Sequence, residues 1–88
     1  MLVADNIEQA ISYYQQALSV TTQQAWPIER AETMNNQGNA YYSRIKKKRA
    51  NNIEQAISCY QQALSVRTQQ ALPIEWAQTM NNLAIAYQ

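Results

Sequence analysis

Apolar residues recur at helical spacing along most of the chain. In one segment they stand at relative positions 0, 3, 4, 7, 10 and 11, which places them on one face of an α-helix. The residues concerned are Ile7, Ala10, Ile11, Tyr14, Ala17 and Leu18, and the series recurs as Ile53, Ala56, Ile57, Tyr60, Ala63 and Leu64. Because the remaining faces carry Gln, Ser and Glu, each segment predicts an amphipathic helix with one buried face.

A second helical pattern begins at each of the two prolines, Pro27 and Pro73. Proline suits the first turn of a helix because its missing N–H would have no partner there. Small or apolar residues follow at helical spacing, at Ala31, Met34, Gly38 and Tyr41 and again at Ala77, Met80, Leu83, Ala84 and Tyr87. Since Gly38 and Ala84 each lie one turn from a tyrosine, we expect a close approach between helices at both positions.

Local signals predict the helix ends. Asp5 and Asn51 each precede a glutamate by three residues, which predicts an N-cap before an acidic first turn. The four predicted helices span about 5–24, 27–48, 51–70 and 73–88, and no segment has the alternation of a strand. Short connections make successive helices antiparallel, so the expected fold is all-α, a set of stacked antiparallel helical hairpins.

The four helices belong to two copies of one unit. Residues 6–42 and 52–88 align without a gap at an offset of 46, with 28 identities in 37 positions, and residues 43–51 connect them. An identity this high indicates an internal duplication. We therefore expect residues 1–88 to form a single repeat domain.

The composition excludes several classes of enzyme. With no His, one Cys and one Gly, the chain lacks the residues for a zinc finger, a Ser-His-Asp triad or a phosphate-binding glycine loop. Its six acidic residues stand mostly near predicted helix N-termini, where capping and the helix dipole account for them. We expect no catalytic residue, no metal and no cofactor.

The net charge of +1 hides an uneven distribution, because five of the seven basic residues lie between positions 44 and 49. These five residues form a basic patch: Arg44, Lys46, Lys47, Lys48 and Arg49. The run occurs once and lacks interleaved aromatic residues, so we expect a solvated helix end at which cations complement the helix dipole. Binding of nucleic acid or of an acidic partner through this patch is the weaker alternative.

The repeated unit resembles the tetratricopeptide repeat. The segment Met80-x2-Leu83-Ala84-x2-Tyr87 is similar to the first half of the family pattern, and Ala56-x3-Tyr60 is similar to the second half. The first copy follows the same pattern, except that Gln37 stands where the family has a core leucine. The period of 46 exceeds the family's usual value of about 34. In this longer period the chain resembles the repeats of kinesin light chains and of cyanobacterial tandem arrays.

The resemblance implies a non-catalytic scaffold for protein–protein interaction. In this family the first helix of each unit lines a concave groove that holds an extended peptide or partner segment. Carried over by position, the groove residues are Asn35, Asn36, Asn39 and Tyr42 in one unit and Asn81, Asn82, Ile85 and Gln88 in the next. Carboxamides suit this role because they both donate and accept hydrogen bonds. The alternative is that these asparagines bond neighbouring helices to each other.

A structural, self-associating element is the alternative function. Two units are fewer than the roughly three that repeat proteins usually need, so the sequence is expected to be a piece of a longer array or a product built to resemble one. Its terminal apolar faces would stay partly uncovered: Ile7, Ile11 and Tyr14 at one end, Leu83, Ile85 and Tyr87 at the other. We expect homo-oligomers, with or without exchange of hairpins, to cover them.

A cytoplasmic location without membrane contact is also expected. The longest unbroken apolar run, Leu83–Tyr87, has five residues, whereas a membrane-spanning helix needs about 20. No targeting segment is visible at the start of the sequence, where Asp5 interrupts the first apolar residues.

Overall fold

The computed structural model of the protein describes residues 3–88, with side chains from Asn6 onward. It contains four α-helices: α1 (Val3–Val20), α2 (Pro27–Ser43), α3 (Arg49–Leu64) and α4 (Pro73–Tyr87). Successive helices form packed hairpins, and no strand occurs within the described part. The prediction of an all-α fold of stacked helical hairpins is confirmed. None of the described helices is long and apolar enough to cross a membrane.

Both predicted proline starts are correct, but α1, α2 and α3 end earlier than predicted, at residues 20, 43 and 64. The same hydrogen bond recurs in the two connections that follow α1 and α3. The Thr22 hydroxyl accepts from the backbone N–H of Ala25, and Thr68 accepts from Ala71 in the second copy. Threonine side chains that bond nearby backbone groups compete with helical hydrogen bonds, and the chain turns there.

The predicted caps are not observed. α3 begins at Arg49 with Lys48 as the N-cap residue, so Asn51 lies inside its first turn and the prediction of a cap at Asn51 is wrong. Asp5 lies inside α1, which begins at Val3, and its side chain is outside the described ones. The neighbouring Asn52 has the structural role instead, because its buried amide donates to the backbone carbonyls of Arg44 and Lys47 and closes the α2–α3 connection.

The core lies mainly between α2 and α3, the most extensively packed pair of helices. It comprises one residue of α1, three of α2, four of α3 and one of α4, and all except Cys59 and Ala86 belong to the predicted apolar faces: Ile11, Ala31, Met34, Tyr41, Ala56, Cys59, Tyr60, Ala63 and Ala86. Gly38 gives the closest approach, since a Cβ built there would lie only 2.5 Å from Cε1 of Tyr60. The predicted close contact is confirmed at Gly38, but it is wrong for Ala84, which is exposed.

The predicted buried face of α4 is largely exposed. Ala77, Met80, Ala84 and Tyr87 are exposed, and Leu83 is half-buried. The reason is that α4 packs on α3 and slightly on α2, and no further described helix covers its other side. On α1, by contrast, Ile11 is buried, so the expectation that it stays uncovered is wrong.

A buried polar cluster joins α2 to α4. The hydroxyl of Thr79, with no exposed surface, donates to Oδ1 of Asn35 at 3.0 Å and accepts from Nη1 of Arg67 at 3.2 Å. The amide of Asn82 donates to the same Oδ1 at 3.3 Å. Because each of these groups is bonded, their burial is compensated, and the cluster fixes how α4 sits against α2.

An ion pair ties α1 to the end of α2. Arg44 donates from Nε to Oε2 of Glu8 at 2.7 Å and from Nη2 to Oε1 at 2.5 Å. The hydrogen bond from Arg44 holds the pKa of Glu8 below its usual range, and the same pairing raises the pKa of Arg44. Glu8 is thus paired across two helices rather than simply placed near a helix dipole.

Candidate functional site

Two adjoining clefts lie between α2, α3 and α4, and together we call them the α2–α4 groove. The first has a volume of about 290 Å³ and is lined by Asn39, Tyr42, Ser43, Tyr60, Asn82 and Ile85. The second has a volume of about 670 Å³ and is lined by Tyr42, Arg49, Ala50, Ile53, Glu54, Ile85, Ala86, Tyr87 and Gln88. Both clefts are lined by Tyr42 and Ile85, so they adjoin at these two residues.

Two carboxamides in the first cleft are oriented by their internal hydrogen bonds. Burial raises the pKa of Tyr60 to about 12, so its hydroxyl stays protonated and donates to Oδ1 of Asn39 at 2.6 Å. On the facing helix, Asn82 uses its amide N–H to bond Asn35. Asn39 therefore keeps its N–H groups for another partner, and Asn82 keeps its carbonyl oxygen. Together they offer one donor and one acceptor, the complement of a peptide group.

The second cleft combines apolar and charged groups. The guanidinium of Arg49 lies over the ring of Tyr42, 4.4 Å from its centroid, and donates to the backbone carbonyl of Tyr42. This stacking orients the ring that separates the two clefts. Ile53 and Ile85 add aliphatic surface, while Glu54 adds a carboxylate on the wall formed by α3.

The structure brings five of the eight predicted groove residues into these clefts: Asn39, Tyr42, Asn82, Ile85 and Gln88. Asn35 is buried with its oxygen occupied by α4, as the alternative interpretation of the asparagines expected. Asn36 is half-buried and Asn81 exposed, and neither lines a cleft of the groove.

Sequence reasoning missed the contribution of α3 to the groove. Tyr60 was expected only as a core residue, yet its hydroxyl reaches the first cleft while its ring is buried. Arg49, Ile53 and Glu54 were not expected there at all. A signal existed for Tyr60, because a buried tyrosine needs a hydrogen-bond partner and Asn39 follows the glycine on which its ring packs.

The basic run forms the connection between α2 and α3 rather than the end of a longer α2. Arg44 pairs with Glu8, and Arg49 is stacked on Tyr42. Lys46, Lys47 and Lys48 are exposed. The expectation that the run is helical is therefore wrong for residues 44–48, because the backbone of Arg44 is extended and ends α2.

Cys59, the single cysteine, is held inside the protein. It is 4% exposed, and its Sγ donates to Oε1 of the buried Gln37 at 3.6 Å. Burial raises the pKa of the Cys59 thiol to about 11, so it is almost entirely protonated at neutral pH. Among the described side chains, no group of three or more His, Cys, Asp or Glu is arranged to hold a metal ion.

Antiparallel helical hairpins that repeat along the chain define an α-helical repeat protein. Comparison with protein families identifies which one, since residues 30–69 match the model of the tetratricopeptide repeat. The matched segment, which covers most of α2 and all of α3, is therefore a tetratricopeptide repeat, and the prediction of this family is confirmed there. The long-period subtype stays a prediction. Comparison with curated proteins and with solved structures gave no significant match.

Tetratricopeptide repeats generally mediate protein–protein interaction and are typically non-catalytic scaffolds. By sequence, α1 is equivalent to α3, and α4 is equivalent to α2. This assignment rests on the alignment of residues 6–42 with residues 52–88.

Proposed function

We propose that the protein is a non-catalytic scaffold that binds an extended segment of a protein partner in the α2–α4 groove. The observation that carries the proposal is the pair of oriented carboxamides. The free N–H of Asn39 would donate to a backbone carbonyl of the partner, and the free carbonyl of Asn82 would accept from a backbone N–H. An extended chain leaves such groups unpaired and would satisfy them in the groove.

The shared residues Tyr42 and Ile85 support the same proposal. They lie where the two clefts meet, so a segment passing from one cleft to the other would cross an aromatic ring and an aliphatic side chain. Contacts to apolar side chains of the partner there would contribute affinity, while the carboxamides set the register of its backbone. We expect a partner segment with an apolar residue at the crossing point.

The test is a selection of unconstrained peptides on the purified chain, followed by titration of the selected peptides. The Asn39→Ala variant should bind them roughly 3- to 10-fold more weakly, because one hydrogen bond contributes about 1 kcal/mol. Asn82→Ala should have a similar or larger effect, since it also removes one of the two hydrogen bonds that Oδ1 of Asn35 accepts. Circular dichroism and urea titration must show that both variants keep the fold.

Asn81→Ala is the matched control, because Asn81 neighbours Asn82 on α4 but is exposed outside the clefts. Its peptide affinity should equal that of the unmodified chain. If the folded Asn39→Ala and Asn82→Ala variants bind the peptides as tightly as this control does, the groove is not the binding site and the proposal is wrong.

We also propose self-association as a second function, on a separate observation. Large apolar side chains are exposed on the outer helices: Tyr13 and Tyr87 are both 65% exposed, and Met80 is 40% exposed. Exposed apolar faces of this kind favour association in water. Sedimentation velocity over a wide concentration range tests this function, and a chain that stays monomeric at every concentration would exclude it.

The proposal does not extend to nucleic acid. Two of the five basic side chains are committed to internal partners, Arg44 to Glu8 and Arg49 to Tyr42, which leaves less free charge than the sequence suggested. A cytoplasmic location and the absence of enzymatic activity stay predictions from the sequence.

A further inference from the structure

Equivalent residues of the two copies differ in burial in a regular way. On α3, four residues of one face are buried: Ala56, Cys59, Tyr60 and Ala63. Their equivalents 46 positions earlier on α1 are half-buried or exposed: Ala10, Tyr13, Tyr14 and Ala17. The α1–α2 and α3–α4 hairpins are equivalent, so the additional cover on α3 comes from α2, which has no counterpart packed on α1. We call these α1 residues the α1 open face.

The other pair of equivalent helices shows the converse. On α2, the face that meets α3 is buried: Ala31, Met34, Gly38 and Tyr41. On α4, the equivalent residues are exposed: Ala77, Met80, Ala84 and Tyr87. We call them the α4 open face. No helix like α3 packs on the α4 open face, and no helix like α2 packs on the α1 open face. Because α1 is equivalent to α3 and α4 is equivalent to α2, each open face is a suitable partner for the other.

We propose that two copies of this chain join head to tail, with α4 of one copy packed on α1 of the next in the arrangement of α2 on α3. This inference rests on the self-association proposed above and adds the partner faces and their polarity. The interface it invokes already exists inside the molecule between helices of nearly the same sequence. Because the two faces differ, the interface is heterologous, and every joined pair keeps one open face of each kind.

The residues that differ between the copies are compatible with this joint. Inside the molecule, the polar Gln37 faces the small Cys59 at 3.6 Å. At the joint the equivalents are Leu83 and Tyr13, a larger and more apolar pair. Burying two such side chains against each other favours association in water.

One part of the joint is less favourable than its internal counterpart. Tyr60 packs on Gly38 and donates to Asn39, whereas Tyr14 would meet Ala84 and Ile85. The alanine Cβ requires the helices to lie slightly further apart there, and isoleucine cannot accept the tyrosine hydrogen bond. The joint should therefore be weaker than the internal α2–α3 packing, which makes association reversible and concentration-dependent.

Replacing either of two alanines by glutamate tests the polarity of the joint. Ala17 on the α1 open face and Ala77 on the α4 open face are exposed in the single chain, yet their equivalents Ala63 and Ala31 are at most 2% exposed. Ala17→Glu and Ala77→Glu each place a charge where the joint would bury it, which should weaken association roughly 100-fold or more. Ala25→Glu introduces the same charge at an exposed position outside both open faces and serves as the control.

Sedimentation velocity of the full chain distinguishes the outcomes. If copies join head to tail, the unmodified chain and Ala25→Glu should grow beyond dimers with concentration, and each open-face variant alone should be monomeric. An equimolar mixture of Ala17→Glu and Ala77→Glu should form one-to-one dimers and nothing larger, because one intact face of each kind remains. Circular dichroism confirms that both variants are folded.

Other outcomes overturn the proposal in separate ways. If one open-face variant dimerises alone, like faces meet and the polarity is wrong, although self-association stands. If the mixture stays monomeric while the unmodified chain associates, the joint uses other surfaces. If the unmodified chain itself never associates, both this inference and the proposed self-association are wrong.

Discussion

The contact between Gly38 and Tyr60 leads to a prediction in which adding a single methyl group destabilises the fold. A Cβ at position 38 would lie 2.5, 2.8 and 2.9 Å from Cε1, Cδ1 and Cζ of the Tyr60 ring. Ordinary carbon–carbon contacts are about 3.5–4.0 Å, so the ring or the helix would have to shift by about 1 Å. The ring has little freedom to do so, because it is 2% exposed and its hydroxyl is bonded to Asn39.

Two opposing effects decide the result for Gly38→Ala. Alanine favours a helix over glycine by about 0.5–1 kcal/mol, while overpacking a filled interface costs about 1–3 kcal/mol. The net effect should be a loss of about 1 kcal/mol in the free energy of unfolding, equivalent to about 4–8 °C in Tm for a domain of this size. Urea titration followed by circular dichroism, at a concentration at which the chain is monomeric, measures it.

The equivalent position on α4 provides the control. Ala84 is exposed, so Ala84→Gly should cost only the helix propensity, about 0.5–1 kcal/mol. In a Tyr60→Leu background, which lacks Cε1 and Cζ, Gly38→Ala should become stabilising because the obstructing ring atoms are gone. If Gly38→Ala instead stabilises the unmodified chain by as much as Ala84→Gly destabilises it, α2 and α3 do not approach each other as closely as described.

Three further predictions concern the buried polar cluster, the ion pair and the cysteine. Thr79→Val removes the central hydroxyl of the buried polar cluster and should lower the free energy of unfolding, measured by urea titration, by about 1–3 kcal/mol. Thr33→Val, at the equivalent half-buried position, should change it by no more than about 0.5 kcal/mol. The Arg44 pairing lowers the pKa of Glu8, so Glu8→Gln should lose up to about 1 kcal/mol of stability at pH 7. This loss should vanish as the pH falls below about 4.3 and through the folded-state pKa of Glu8, because the glutamate is then protonated in both states. Cys59, with its pKa raised to about 11, should react with iodoacetamide at pH 8 roughly 100-fold or more slowly in the folded than in the urea-unfolded chain.

Each of these three has an outcome that would contradict it. Equal losses for Thr79→Val and Thr33→Val would mean that the cluster does not join α2 to α4. A difference between Glu8→Gln and the unmodified chain that persists well below the folded-state pKa of Glu8 would show that the glutamate acts by packing rather than by charge. Fast alkylation of Cys59 in the folded chain would show that α2 and α3 separate readily.

The sequence was sufficient to predict the helices and a close approach at Gly38 because both depend on spacing along the chain. Proline in the first turn and a glycine one turn from a tyrosine are local signals with a direct steric cause. The helix ends were harder to predict. In the connections after α1 and α3, the hydroxyls of Thr22 and Thr68 accept hydrogen bonds from nearby backbone N–H groups, and such bonds compete closely with a continued helix. Asn51 failed as a cap because α3 begins two residues before it, at Arg49.

The site was only partly predictable because a helical pattern does not give the angle at which a neighbouring helix crosses. Asn35 and Asn39 lie about one turn apart on α2 and look equivalent in the sequence. The position of α4 separates them: Thr79 and Asn82 bond Asn35, while Asn39 meets Tyr60 at the groove. The pairing of Glu8 with Arg44, 36 residues away, likewise depends on tertiary packing that spacing does not encode.

The divergence between the two copies explains why the α2–α4 groove has two different walls. Asn39 and Ile85 are equivalent by alignment, yet they line the same cleft from α2 and α4. One wall thus presents the N–H groups of Asn39, whose oxygen is held by Tyr60, and the other presents the aliphatic Ile85 beside the carbonyl oxygen of Asn82. A segment bound between unlike walls has a preferred orientation, because reversing it would place its apolar side chain against the amide and its polar group against Ile85. Selected peptides that bind equally well in reversed sequence would contradict this asymmetry.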